Sequence, residues 1–167
     1  MVTSPPPVIV GVTSGQPDAV VLAASIFASH FGGELICASV DPSRQVLAEL
    51  PDGTVTSASY DPDSREVPTT MFDAGLLAQV ERVLQGRSVS WSTRALAGDT
   101  AEALGRLAST LHAAMIVVGT RESNLRHTLA SFFTGSVAVR LAHGQHCPVV
   151  IIPLRPVPFS EQGPREE

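Results

Sequence analysis

Basic and aromatic side chains are scarce in this 167-residue chain, which carries 11 Lys and Arg against 16 Asp and Glu, one Trp and one Tyr. Without a dense cationic patch or stacking aromatics, neither nucleic acid nor an anionic membrane is expected as a main partner. Long hydrophobic runs are also missing, and none approaches the roughly 20 residues of a membrane span. The first seven residues, MVTSPPP, lack the charged start and apolar segment of a secretion signal, so a cytoplasmic protein is expected. Only two cysteines occur, Cys37 and Cys147, with no CxxC spacing, which excludes a disulfide framework and suits buried reduced thiols. His143, His146 and Cys147 straddle a helix end and a strand start, so structural or solvent-facing roles are expected for them rather than a zinc site. Catalytic signatures are equally thin: there is no GxxxxGK[ST] run, no GxGxxG after the first strand, no GxSxG elbow and no evident nucleophile–base pair.

What is present is an apolar content of 44%, enough to bury a sizeable core in one domain. Val8 to Val12 forms a nearly continuous apolar run, the pattern of a strand buried on both faces. Pro17 and Asp18 then open a helix whose stripe, Val20, Ala23, Ala24, Phe27 and Phe31, stops at Gly32-Gly33. Leu35 to Val40 is the second strand. Helices are predicted from about Thr69 to Gln85, from Gly98-Asp99-Thr100 with Thr100 as N-cap, and over Ser136 to Ala142. Between and after them stand an alternating, partly exposed edge strand around Trp91, an apolar strand Met115 to Val118, and a last strand Val149 to Ile152.

Strands that alternate with helices and are mostly apolar throughout indicate an α/β fold: a single doubly wound domain, its five-stranded parallel sheet flanked by about four helices. This domain is expected over 8–153, with a flexible leader over 1–7 and a tail over 154–167 that does not pack. Residues 41–68, rich in Asp, Ser and Pro, are too long for a simple connection and are expected to form a mobile flap or insertion. Within it Gln45 to Leu50 suits a helical turn and Thr54 to Tyr60 a short extended piece.

Two glycine corners carry the functional signal. Gly119 follows a buried strand directly, where a missing side chain lets a ligand approach the backbone, and Gly135-Ser136 opens an apolar helix with unpaired amides, a hydroxyl and the positive dipole end. Together they suggest a phosphate cradle. In a parallel sheet, ligands bind beyond the carboxyl ends of the strands where the strand order reverses. If the first strand and the Met115 strand flank that reversal, the Thr13 loop, the end of the second strand at Val40 and the Gly119 loop converge there.

The segments Val8-Ile9-Val10-Gly11-Val12, Ala95 to Asp99, Ile116-Val117-Val118-Gly119-Thr120-Arg121, Gly135-Ser136-Val137 and Cys147-Pro148-Val149-Val150-Ile151-Ile152-Pro153 together resemble the universal stress protein family. Nucleotide-binding members of that family carry G-x2-G-x9-G-[ST] after the fourth strand of the sheet and an aspartate at the end of the first. Here Gly119 and Gly135-Ser136 match, whereas Glu122 stands at the second glycine, twelve residues separate it from Gly135, and Thr13 occupies the aspartate position. The longer loop brings Arg126 and His127, and Arg121 follows Gly119 by two residues; arginine can hold phosphate bidentately. The resemblance implies a stress-response protein with ATP as a regulatory ligand, with or without Mg²⁺. Val12, Thr13 and Val40 would then border the adenosine, and Gly119, Arg121, Gly135 and Ser136 the phosphates. It further implies a homodimer paired through the last strand, Val149, Val150, Ile151 and Ile152, and at most slow ATP hydrolysis. Thr13 and Glu122 keep open a second expectation, a nucleotide-independent dimeric interaction module of the same fold.

Overall fold

The computed structural model describes residues 4–61, 63, 71–120 and 137–154. Strand β1 (Val8–Gly11), helix α1 (Ala19–Phe31) and strand β2 (Leu35–Asp41) form the opening β-α-β unit. A hairpin follows, β3 (Arg44–Glu49) and β4 (Val55–Ser59), then α2 (Ala74–Leu84), β5 (Trp91–Ala97), α3 (Thr100–Leu111), β6 (Met115–Gly119), α4 (Val137–Gly144) and β7 (Val149–Ile152). Five strands make one parallel sheet in the order β5-β2-β1-β6-β7, with β1 at its centre. The registers Val10↔Cys37 and Val10↔Val117 place the ends of β2 and β6 on either side of the end of β1.

The continuous apolar character of the inner strands follows from burial on both faces. On one face Val8, Val10 and Val12 pack with Val20, Ala24 and Ala28 of α1 and Leu76, Val80 and Leu84 of α2. On the other, Ile9, Ile36 and Ile116 meet Leu104 and Leu107 of α3 and Leu141 of α4. Each of these larger side chains, fully buried, contributes about 1.5–3 kcal/mol. Strand β5 lies at the sheet edge, as its alternation predicts, because only one side of it is paired.

At two helix starts an aspartate takes the capping position. Thr100 is not the N-cap of α3; Asp99, extended at ψ 128°, accepts from the Glu102 amide at 3.1 Å. Helix α2 begins at Ala74, where Asp73 accepts from the Leu76 amide at 2.7 Å, while the expected start at Thr69 lies outside the described residues. Carboxylates outcompete the threonine hydroxyl as acceptors for the unpaired first-turn amides. Of the 136–142 helix, Ser136 is outside the described residues and α4 runs on to Gly144.

The expected helical turn at Gln45–Leu50 is corrected: the segment is strand, paired antiparallel with β4 and irregular between Val46 and Ala48. Tertiary packing overrides local propensity here. Val55 and Ser57 are buried, and Arg94 donates to the Asp52 carbonyl at 2.9 Å. At the turn, Gly53 has φ +78°, and a Cβ there would lie 2.3 Å from Leu107 Cδ1, so the hairpin tip rests directly on α3. Two further residues dock the ends of the domain: Pro7 accepts from the Ala114 amide at 2.8 Å, and Leu154 packs against the α1 face.

Candidate functional site

The loop from β1 to α1 is short and doubly tied. Val12, one residue past β1, still donates to the Ala38 carbonyl at 2.9 Å, so its buried side chain and the sheet edge are fixed together. The exposed Thr13 accepts from the Gln16 amide at 3.2 Å through its carbonyl, while its own N–H donates to Gln16 Oε1 at 3.4 Å. From α2, Gln79 Nε2 donates to the Gln16 carbonyl at 2.9 Å and to Asp18 at 3.0 Å. Arg82 completes the clamp with two contacts to the Asp18 carboxylate at 2.9 and 3.1 Å. The Arg82 guanidinium first, then Gln79, holds that carboxyl below its ordinary range. Because Asp18 is engaged in this way, it makes no side-chain cap to α1.

Strand β2 runs past β1 and ends with half-buried Val40, opposite Leu96, and exposed Asp41, opposite Ala97. Asp41 accepts from the Ser43 hydroxyl at 2.6 Å and the Ser43 amide at 2.9 Å. Those bonds, the hydroxyl foremost, lower its carboxyl pKa. Across β1, strand β6 ends at Gly119, opposite Ile152 of β7. A Cβ on Gly119 would lie 2.9 Å from both Gln16 Nε2 and Val20 Cγ2, and 3.4 Å from Leu154 Cδ1. The chain continues through Thr120, whose N–H donates to the Ile152 carbonyl at 3.0 Å and whose hydroxyl accepts from the Leu154 amide at 3.0 Å.

The chain leaves β1 for β2 on one side, and β6 and β7 lie on the other, so the order reverses between β1 and β6. Thr13, in the loop after β1, and Gly119, at the end of β6, flank that reversal; Val12 is buried beside them, and Val40 lies near the end of the strand on the far side of β1. Arg121, Gly135 and Ser136 lie outside the described residues, as do Glu122, Arg126 and His127. Sequence reasoning missed Gln16 and Gln79. A glutamine between Gly15 and Pro17 has no motif to mark it, and Gln79 faces the loop only because α1 and α2 share a face of the sheet.

A groove of about 640 Å³ runs between α3 and α4, but none of Val12, Thr13, Val40 and Gly119 lines it. Among the described residues no three His, Cys, Asp or Glu are grouped to hold a metal ion. Cys147 instead donates its thiol to the Ala113 carbonyl at 3.4 Å, and burial pushes its pKa up. Burial alone pushes the Cys37 thiol up to about 12.

The model of the universal stress protein family matches residues 6–153. Among solved structures, a universal stress protein in complex with cAMP is 21% identical, with 90% of this chain and 98% of that chain covered and a TM-score of 0.59. The universal stress protein from Archaeoglobus fulgidus in complex with dAMP is 17% identical over the same shares, with a TM-score of 0.56. A universal stress protein from Lactobacillus plantarum is 17% identical, with 90% and 99% covered and a TM-score of 0.55. At these identities the likeness is one of fold. No curated protein sequence matches the chain.

Proposed function

We propose, from the premise that the chain belongs to the universal stress protein family, that it binds an adenine nucleotide at the carboxyl edge of its sheet and that ATP, with or without Mg²⁺, is its regulatory ligand. The observation that carries this reading is the convergence of Thr13 and Gly119 on the crevice between β1 and β6, where parallel sheets place their ligands. Support comes from two relatives of the same fold whose structures hold cAMP and dAMP. Val12, Thr13 and Val40 would meet the nucleoside, and Gly119, Arg121, Gly135 and Ser136 the phosphates. The ligand acts by stabilising one state of the domain for partner proteins in the cytoplasm, and its hydrolysis is at most slow. No described helix is long and apolar enough to cross a membrane.

Thermal unfolding with Mg-ATP, AMP, cAMP and GTP tests the reading. A ligand at a hundred times its Kd stabilises by about 2.7 kcal/mol, which raises Tm by roughly 5–10 °C in a domain of this size. The expected outcome is such a rise with adenine nucleotides and a smaller one with GTP. A flat response at millimolar concentrations of all four would overturn it. That result would favour a nucleotide-independent dimeric module, a reading supported by Thr13 standing where binding members carry aspartate.

A further inference from the structure

We propose that Gln16 is a ligand-contacting residue of this crevice, its side-chain amide donating to a phosphate oxygen held at Gly119. The inference rests on the reading that the sheet edge binds an adenine nucleotide.

Three observations carry it. Gln16 Nε2 lies at the point a Cβ of Gly119 would approach to 2.9 Å, so the amide sits over the one backbone position on β6 that is bare of side chain. Its Oε1 accepts from the Thr13 N–H at 3.4 Å, which leaves Nε2 on the Gly119 side with no acceptor among the described residues. The backbone that carries it is held by Gln79, and the neighbouring Asp18 is turned to Arg82 and Gln79. The loop is therefore held before ligand arrives, its nearest carboxylate in sequence is already paired with a guanidinium, and both hydrogens of Gln16 Nε2 lack an acceptor among the described residues. A donor pair in a preorganised loop, with no like charge added by Thr13, is what an anionic oxygen at Gly119 needs.

Gly119 also has a packing role, since its missing side chain makes room for Gln16, Val20 and Leu154. A Gly119 variant therefore mixes packing with binding. Gln16 separates them, because among the described residues its side chain makes a single hydrogen bond, the long one to Thr13, and it can be shortened without overfilling the space beside Val20.

The test is calorimetric titration of the full chain and of Gln16→Ala and Gln16→Glu with ATP, AMP and adenosine. Gln16→Glu keeps the acceptor for the Thr13 N–H and removes both donors, so it serves even where Gln16→Ala disturbs the loop. A lost hydrogen bond to a charged group predicts at least about tenfold weaker binding of ATP and AMP in both variants, with adenosine bound within about twofold of wild type. Binding of ATP and AMP within about twofold of wild type in both variants overturns the role of Gln16 and leaves nucleotide binding standing. An equal loss for adenosine overturns it as well, because the loop and not the phosphate contact is then being read. A wild-type chain that binds none of the three brings down the nucleotide reading, and this inference with it.

Discussion

At the scale of single residues, the informative positions are those where a side chain is missing or uncharged. Gly119 looks like a ligand glycine in the sequence, and the structure adds a packing reason: a methyl group there meets Cγ2 of the fully buried Val20 at 2.9 Å. Gly119→Ala is therefore expected to destabilise the unliganded domain by about 1–3 kcal/mol, the usual range for overpacking. Urea denaturation without nucleotide measures it, and an unchanged midpoint would mean that α1 gives way at no cost. Thr13 is legible as a departure from the family pattern, but its consequence is not. Only the fold shows that its N–H faces Gln16, and that the carboxylate following two residues later, Asp18, is spoken for by Arg82.

Among elements, the helices of the second layer are joined by one carboxylate. Asp99 caps α3 through the Glu102 amide and pairs with Arg140 of α4, whose other guanidinium nitrogen lies 3.9 Å from Glu102. The hydrogen bond from Arg140 first, then the Glu102 amide, holds the Asp99 carboxyl below its ordinary value. A carboxyl lowered on folding contributes fully above its unfolded value, near pH 4, and loses that contribution as pH falls through the folded value. Asp99→Ala is expected to cost about 1 kcal/mol at pH 7, mostly as the lost cap because the ion pair is half-exposed. The difference from wild type should shrink toward pH 2, and chemical denaturation at the two pH values checks it. A gap independent of pH would mean that the charge of the Asp99 carboxylate contributes nothing to the cap. The hairpin teaches the opposite lesson about elements. Its β3 strand reads locally as a helical turn, and it becomes a strand because β4 pairs with it and Val55 has a buried place to go.

For the whole molecule, the sheet has two edges, β5 and β7, and they are treated differently. The hairpin packs beside β5 through Arg94 and Asp52, whereas β7 leaves Ile151 42% exposed. Among the described residues no strand pairs with the outer side of β7, and an apolar edge strand is a pairing surface; we propose homodimerisation through Val149, Val150, Ile151 and Ile152. Ile151→Lys is expected to convert the dimer to a monomer in light scattering while leaving the far-UV spectrum intact; a wild-type monomer at tens of micromolar would overturn the proposal. The sequence by itself determined the α/β class, the five parallel strands, the order of helices between them and the glycine that ends β6. Each of those is written in local periodicity or in a single residue type, and burial on both faces leaves the inner strands no other pattern. What only the tertiary structure decided is which ends meet. The strand order put the loop that carries Gln16 against Gly119 across a gap of more than a hundred residues, and the shared face of α1 and α2 turned Gln79 onto that loop. The hairpin's pairing was settled the same way. Contacts between residues distant in sequence depend on how whole layers stack, and no local pattern in the chain encodes that stacking.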